Sequence, residues 1–585
     1  MAVLPKKDVV IIGYGAGAGP VSTELALAGY DVVVLERGPY RTTAEDFAKG
    51  ALDTLRWNTR GEFLPPLQDV PLTFRTDLNQ EAVPTNYIMA NTVGGASVHW
   101  SGQSWRFYVE DFRVKTTLEQ LYGPEKLEYL REDGANIQDW PISYEDVEPY
   151  YEKVEYYIGV GGWPGNIQGQ IRPVNPDDGN PYEAPRQRDY PFRPLRDNAT
   201  DLTFREGALK LGLKPFHVPT AITTEPWTSG YGVQRAACTY CTFCTSFGCW
   251  NGSKSSSLVA LLPVAEATGN FEIRPNSHVL RINHTGDRAV SVEYIDLVTG
   301  EVHIQPGEIF ILGAYTFQNV RLLLYSGITS NGLVGKYFIN RAGPSVSAIF
   351  EDRYLNGYNG PAVQRQGVDD FNGENNAEEK LQLPDDQFFV RGAFIGSPSQ
   401  RTPLETYNAV PPDVPRWGAE YKRYLSDNLN RYIGLQLLAE PIPYETSYID
   451  LDPNYTDRFG VPAARVQRQV KQNEIRMARY IFEKGKAILE AAGAAKVWGR
   501  DTPVASATMT HDCGGLRMGH DPSMSVTNRY CQMWQVPNIF VTGGALFPTM
   551  SGHNPTETIW MLSFWLADAI KDNKVNIYNS EDFRS

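Results

Sequence analysis

The apolar positions near the start of the chain follow two periods in succession. Val9 to Ile12, in the run DVVIIG, are apolar on both faces, as in a strand buried inside a parallel sheet. A helix is predicted from about Pro20 to Leu27, and DVVVLERGP then supplies a second strand ending at Glu36. Further on, NSHVLRI (Asn276 to Ile282), EIFILGA (Glu308 to Ala314) and NIFVTGGA (Asn538 to Ala545) read as strands, the last running into a glycine turn. DWPISYEDVEPYYEKVEYYI (Asp139 to Ile158) reads as a capped amphipathic helix, with its aspartate and glutamate early, where they complement the helix dipole. The richest late apolar stretch, Ile559 to Ile570, is shorter than the ~20 residues a membrane helix needs and predicts an amphipathic core helix. Pro164 to Pro194 and Gly357 to Glu378 are rich in loop-forming residues and predict long loops or a lid; no internal repeat is present. The elements predict an α/β chain, α+β overall.

Composition narrows the class. A chain of 585 residues buries a large core and holds more than one domain. Its 42% hydrophobic and 21% charged residues are those of a soluble globular protein. The net charge of −14 argues against nucleic acid and against electrostatic docking to anionic lipid. Aromatic residues make up 12%, enough to line a carbohydrate site, though most of these rings are expected in the core. The start, MAVLPKKDVVIIG, passes from two lysines straight into a strand, so no signal peptide of its own is expected; work at a membrane would need another subunit as anchor.

Chemistry enters through glycines and cysteines. Gly13-x-Gly15-x-x-Ala18 sits between the first strand and its helix. Gly13 permits the tight turn, Gly15 lets backbone approach a pyrophosphate, and a small residue at 18 lets helix and strand pack closely. The pyrophosphate would rest on the helix N-terminus, and Glu36 would accept from a ribose hydroxyl. This arrangement predicts a dinucleotide site without choosing FAD over NAD. NTVGGASVHWSGQSW (Asn91 to Trp105) adds Gly94 and Gly95, followed closely by Ser97, where backbone can lie against a flat ring or phosphate.

Four of the six cysteines, Cys238, Cys241, Cys244 and Cys249, fall in C-x2-C-x2-C-x4-C spacing. Such packing suits thiolates converging on an iron–sulfur core. Local disulfides are the poorer alternative across so short a loop. Zinc usually takes a second C-x-x-C knuckle, which this chain lacks. The last gap is one residue longer than in the bacterial ferredoxin run and no proline follows, so three or four ligands (3Fe–4S or 4Fe–4S) both stay open. Cys513 and Cys531 read as ordinary buried thiols.

VGGASVHWSG, the cysteine run, ILGAYTFQNVRLLLYSGI (Ile311 to Ile328), DLDPNY, THDCGGLRMGHDP and GHNPT span nearly the whole chain in order. Together they resemble the glucose–methanol–choline (GMC) family of FAD oxidoreductases. Within it they resemble most the flavoprotein subunits of the gluconate 2-dehydrogenase type and related bacterial membrane-linked sugar and polyol dehydrogenases. The resemblance implies a Rossmann-like FAD-binding domain from 1–112, 225–345 and 495–585, carrying a cysteine loop at 236–252. A sheet-and-helix substrate domain would come from 113–224 and 346–494. It implies that Val279 holds the adenine, that Gly544 and Ala545 lie against the cofactor, and that His511 and Asn554 form the catalytic pair. Oxidising a secondary alcohol removes a hydroxyl proton and a hydride. His511 is expected to take the proton as base, and Asn554 to orient the oxygen. His553, adjacent to Asn554 in an extended segment, should point the other way. His99 is expected near the flavin. Arg106 or Arg517 could hold a substrate carboxylate.

By the same resemblance, electrons would pass singly through the cluster to a cytochrome or quinone. The partners would be a small subunit carrying the export signal and a multihaem cytochrome c, on the periplasmic side of the inner membrane. Two other readings stay open. One is a stand-alone oxidase of the same family, pyranose-oxidase-like and cytoplasmic if it acts alone, with the cysteines structural. The other is a non-catalytic electron-transfer or scaffold subunit, against which an intact His511 and Asn554 speak.

Overall fold

The computed structural model describes residues 2–47, 51–86, 89–172, 179–363, 365–398, 410–506 and 510–577. Residues 173–178 and 364, inside the two expected loops, lie outside them. The fold is built on an eight-stranded mixed sheet. Strand Lys7–Ile12 pairs in parallel with Val32–Leu35 across helix Gly19–Leu27, aligning Val9 with Val32 and Ile12 with Leu35. Phe271–Arg274 extends that edge in parallel. On the other side, the eleven-residue strand Val302–Leu312 is the hub. Its C-terminal half pairs with Lys7–Ile12 and with Ile539–Val541, and its N-terminal half pairs antiparallel with Arg288–Asp296. Ser277–Thr285 closes the sheet beyond Arg288–Asp296. Val9, Val10, Ile11, Phe310 and Ile311 are fully buried. Apolar residues on both faces are the signature of a strand covered above and below.

Helix Thr556–Lys571 packs against Gly19–Leu27 and Tyr144–Val154. It buries Trp560, Phe564, Leu566, Ala567 and Ile570, and among the described residues no helix is long and apolar enough to cross a membrane. The helix expected from Asp139 starts only at Tyr144. Ser143 caps it, its hydroxyl accepting from Asp146 N at 3.2 Å while the Asp146 carboxylate accepts from Ser143 N at 3.0 Å. A reciprocal cap satisfies two otherwise orphaned donors and so sets the start. Tyr144, Val147, Tyr151 and Val154 form its buried stripe, and a wider turn over Glu155–Gly159 ends it.

Five smaller sheets complete the fold among the described residues. Phe216–His217, Gln366–Val368, Ala393–Gly396 and Gln436–Ala439 form an antiparallel sheet against the twenty-residue helix Gln472–Ala491. Strand pairing does not everywhere follow the expected divisions at 112 and 495. Leu72–Arg75 and Val83–Thr85 join Tyr448–Thr456 and Pro462–Gln467, and Lys496–Arg500 pairs with Ser345–Ile349. Strands settle where an edge can satisfy their N–H and C=O groups, wherever they lie in sequence. The expected loop from Gly357 likewise contains strand Gln366–Val368.

Candidate active site

A cavity of about 570 Å³ runs along the C-terminal ends of the parallel strands, where open α/β sheets bind their ligands. At one end its wall is made by Gly13, Gly15, Glu36 and Val279; at the other by His511, Gly544 and Asn554. Gly13 has φ +86°, and a Cβ there would meet Gly313 O and Ala314 Cα at 2.9 Å. Gly95, with φ +54°, lies against Gly15, so close that a Cβ would be 2.9 Å from Gly15 Cα. The two glycine turns therefore meet tip to tip beside the helix that opens at Gly19. A Cβ added to Gly15, by contrast, would point into open space, its nearest atom Gly313 O at 3.8 Å.

Glu36 is buried and held by two backbone N–H groups, Tyr14 N to Oε2 and Gly38 N to Oε1, each at 2.7 Å. Burial raises its pKa despite those donors. Ala18 lies behind the wall, where a side chain on Gly313 would touch its Cβ at 2.9 Å. Gly94 also packs inward, against Val98 and Leu258. Ser97 lines the cavity, but its hydroxyl bonds Gly94 O at 2.6 Å and accepts from Ser257 N at 3.1 Å. Ala545 is buried behind Gly544, its carbonyl accepting from Leu516 N at 3.0 Å.

The structure brings His511 and Asn554 together, with His511 Nε2 and Asn554 Nδ2 3.2 Å apart. His511 adopts φ +72°, a conformation that a non-glycine residue holds only when its surroundings over-determine it. Behind it, Arg341 Nε donates to His511 Nδ1 at 2.8 Å. Behind Asn554, Trp105 Nε1 donates to Oδ1 at 3.2 Å. Burial, and then the Arg341 charge, hold His511 well below the ordinary imidazole pKa, so it is neutral. An arginine can only donate, so the neutral ring accepts at Nδ1 and carries its proton on Nε2. The nitrogen turned toward Asn554 is thus an N–H, not the lone pair expected of a base.

His553 is turned away from the cavity. Nδ1 lies 2.9 Å from Arg106 O and Nε2 lies 2.9 Å from Asp369, and the ring stacks on Trp105 with centroids 4.2 Å apart. Burial opposes its charge, but Asp369 outweighs burial and raises its pKa. Asp512, beside His511 on the cavity wall, is pushed up to about 7 by burial, although Tyr315 and Asn340 both donate to it. His99 also lines the cavity, where burial and then Lys254 lower its pKa to about 3.

Neither arginine expected to bind a carboxylate reaches the cavity. Arg106 is spent on Glu155, at 2.9 and 3.1 Å, on Glu148 at 2.7 Å and on Tyr144. Arg517 donates to Asn136 at 3.0 Å and lies over the Tyr337 ring. Buried guanidinium groups stay only where acceptors or rings compensate them, and both had partners nearer than any substrate.

The cysteine loop abuts the same cavity. Thr245 and Ser246 line it, and Ser246 N donates to His99 O at 2.7 Å. Lys254 ties loop to wall, its Nζ donating to Trp100 O at 2.7 Å, Cys244 O at 2.6 Å and Phe247 O at 2.8 Å. Burial, with a smaller push from neighbouring thiols, raises the Cys238 thiol to about 11 and the Cys244 thiol to about 12. Lys254 is lowered to about 8 by burial. Among the described residues no three metal-ligating side chains converge on one ion. Tyr240 N donates to Cys238 Sγ and Lys254 N to Cys249 Sγ, each at 3.4 Å.

A paired-glycine nucleotide cradle running into a buried histidine–asparagine pair defines a flavin-dependent oxidoreductase acting on CH–OH groups. Models of the GMC oxidoreductase N- and C-terminal regions match residues 129–342 and 443–563. The chain is 34% identical to the gluconate 2-dehydrogenase flavoprotein of Pantoea cypripedii, over 97% of this chain and 94% of that one. It is 24% identical to the fructose dehydrogenase large subunit of Gluconobacter japonicus, over 96% and 97%. Among solved structures, Aspergillus oryzae formate oxidase, studied for modification of its FAD, superposes with a TM-score of 0.64 at 12% identity, covering both chains completely. The chain belongs to the GMC oxidoreductases, and its cofactor is FAD. Gly13, Gly15, Gly95, Glu36 and Val279 fit the dinucleotide end of that cofactor. His511, Gly544 and Asn554 fit its reactive end, and FAD supplies the hydride acceptor there.

Arg341, Trp105, Asp512 and Lys254 were not singled out from sequence. The neighbourhood of Asp512 to His511 was the one available signal. The other three act through folds of the chain that bring residues more than a hundred positions apart into contact.

Proposed function

We propose that this chain is the catalytic flavoprotein of a dehydrogenase that oxidises a secondary alcohol of a sugar, sugar acid or polyol. Its electrons would leave through an iron–sulfur cluster on Cys238, Cys241, Cys244 and Cys249 to a cytochrome or quinone. The observation that carries this reading is the shared wall. His511 and Asn554 meet on the cavity that the FAD fingerprint lines, and the cysteine loop touches that cavity through Ser246. Whole-length similarity to proteins named gluconate 2-dehydrogenase flavoprotein and fructose dehydrogenase large subunit supports the substrate class and a multisubunit assembly. We place the chain on the periplasmic side of the inner membrane, held there by a partner subunit.

His511 and Asn554 grip the carbinol oxygen. Removing a hydride from carbon and a proton from oxygen turns the carbinol into a carbonyl. Asp512, near 7 on the same wall, is the group able to carry that proton away, because His511 already holds one on Nε2. A cluster on the four cysteines would supply one-electron transfer. The chain, purified anaerobically and assayed for iron and acid-labile sulfide, should contain both. With a panel of sugars, sugar acids and polyols, it should reduce a one-electron dye faster than it consumes oxygen. Absence of iron together with rapid peroxide formation would establish the oxidase reading instead.

A further inference from the structure

We infer that Arg341 and Trp105 lock His511 and Asn554 into a two-donor clamp for an oxygen atom, with Arg341 as its positioning residue. The inference rests on the reading that this pair faces substrate. Arg341 is buried, 3% exposed, and its guanidinium is spread over four acceptors. Besides His511 Nδ1, these are Ala439 O at 2.8 Å, Ser551 O at 2.8 Å and His553 O at 2.7 Å. One side chain therefore fixes the His511 ring, the loop that delivers Asn554 and the strand Gln436–Ala439 beside them. Its acidic neighbours Glu440 and Asp111 are both paired with Arg391, which leaves the Arg341 charge directed at the imidazole.

The logic is one of donors and acceptors. Guanidinium and indole N–H groups have no lone pair to offer. Arg341 therefore makes Nδ1 of His511 the acceptor and Nε2 the N–H. Trp105 makes Oδ1 of Asn554 the acceptor and leaves the amide NH2 on the other side. The two nitrogens 3.2 Å apart are then both donors, and neither satisfies the other. Their hydrogens have one common direction in which to find an acceptor, the cavity that both residues line. Two preorganised donors aimed at one point are the arrangement that stabilises charge building up on an oxygen. Such charge builds up as a carbinol oxygen gives up its proton ahead of the hydride. Among titratable groups, Arg341, Asp512, Cys513 and, behind Arg341, Glu440 surround His511; burial keeps the ring neutral, and the contact with Arg341 decides which nitrogen carries the proton.

The test is the tautomer itself. The holoenzyme labelled with 15N-histidine, with His511 assigned by the signal missing in His511→Gln, should show Nε2 protonated and Nδ1 bare, unchanged between about pH 5 and 9. In Arg341→Met, His511, still buried, should stay neutral but populate both tautomers. Arg341→Lys, which keeps the charge and can likewise only donate, should restore the single tautomer and lose mainly kcat rather than raise KM. Trp105→Phe frees Asn554 to turn. Binding of acetate as an oxyanion probe, read from the flavin spectrum, should weaken about tenfold, equivalent to about 1.4 kcal/mol. A wild-type His511 protonated on Nδ1, or titrating between about pH 5 and 8, overturns the clamp. So does acetate binding unchanged in Trp105→Phe, which serves as the deciding measurement if Arg341→Met does not fold. Because the spectra need no turnover, a protein that shows the clamp yet oxidises no alcohol would sink the functional reading alone.

Discussion

The two ends of the cavity are built on different principles. At the nucleotide end the working atoms are backbone. Gly13, Gly15 and Gly95 matter for what they lack, and Glu36 is held by the N–H groups of Tyr14 and Gly38, both within 22 positions. At the reactive end the working atoms are side chains of residues 105, 341, 511 and 554, each oriented by another. A backbone site tolerates no added atom but needs little outside its own turn. A side-chain site tolerates local change but depends on distant residues holding hydrogen-bond direction.

The sharpest way to break that contrast is at Gly13. Gly13→Ala puts a Cβ 2.9 Å from backbone atoms of Gly313 and Ala314 at φ +86°. It should yield protein with almost no bound flavin, measured as the ratio of flavin to protein absorbance. Gly15→Ala, with 3.8 Å of clearance, should leave the melting temperature of the apoprotein unchanged while weakening FAD binding. Normal FAD content in Gly13→Ala would show that the cradle is softer than its geometry. At the reactive end, His511→Ala should retain FAD and lose about 10²–10³ in kcat, the usual scale for a preorganised donor to a developing oxyanion. Equal flavin bleaching by substrate in wild type and variant would remove His511 from the chemistry.

The smallest effect concerns His553, which supports Asn554 through Trp105. Its pKa is raised in the folded protein, so its stabilising contribution is fully present below the unfolded value of about 6.5. That contribution fades as pH rises through the folded value. Urea titrations of wild type and His553→Gln should therefore differ by about 1–3 kcal/mol near pH 5.5 and converge at high pH. A gap that widens with pH would mean that His553 is neutral against Asp369.

Much of this was legible from sequence because it is local. The parallel pairing of Val9 with Val32 followed from uninterrupted apolar runs around a glycine turn. The pair His511 and Asn554 was legible only through family resemblance, since nothing between the two positions predicts their 3.2 Å approach. Readings failed where local pattern competed with long-range pairing. Arg106 was one of the basic residues that could have held a carboxylate, yet Glu155, nearly fifty residues on, had claimed it. Leu72–Arg75 looked like part of the nucleotide unit, yet its open edge lies against Pro462–Gln467.

The amino-acid order by itself determined the strand–glycine–helix unit, the acidic residue at its far edge and the cluster of thiols. Each depends on residues a few positions apart and on where a side chain is too large to fit. Only the tertiary structure decided which nitrogen of His511 carries a proton, because that follows from Arg341, 170 positions away, donating to the other nitrogen. Sequence supplies the titratable group; the neighbour that can only donate chooses its state.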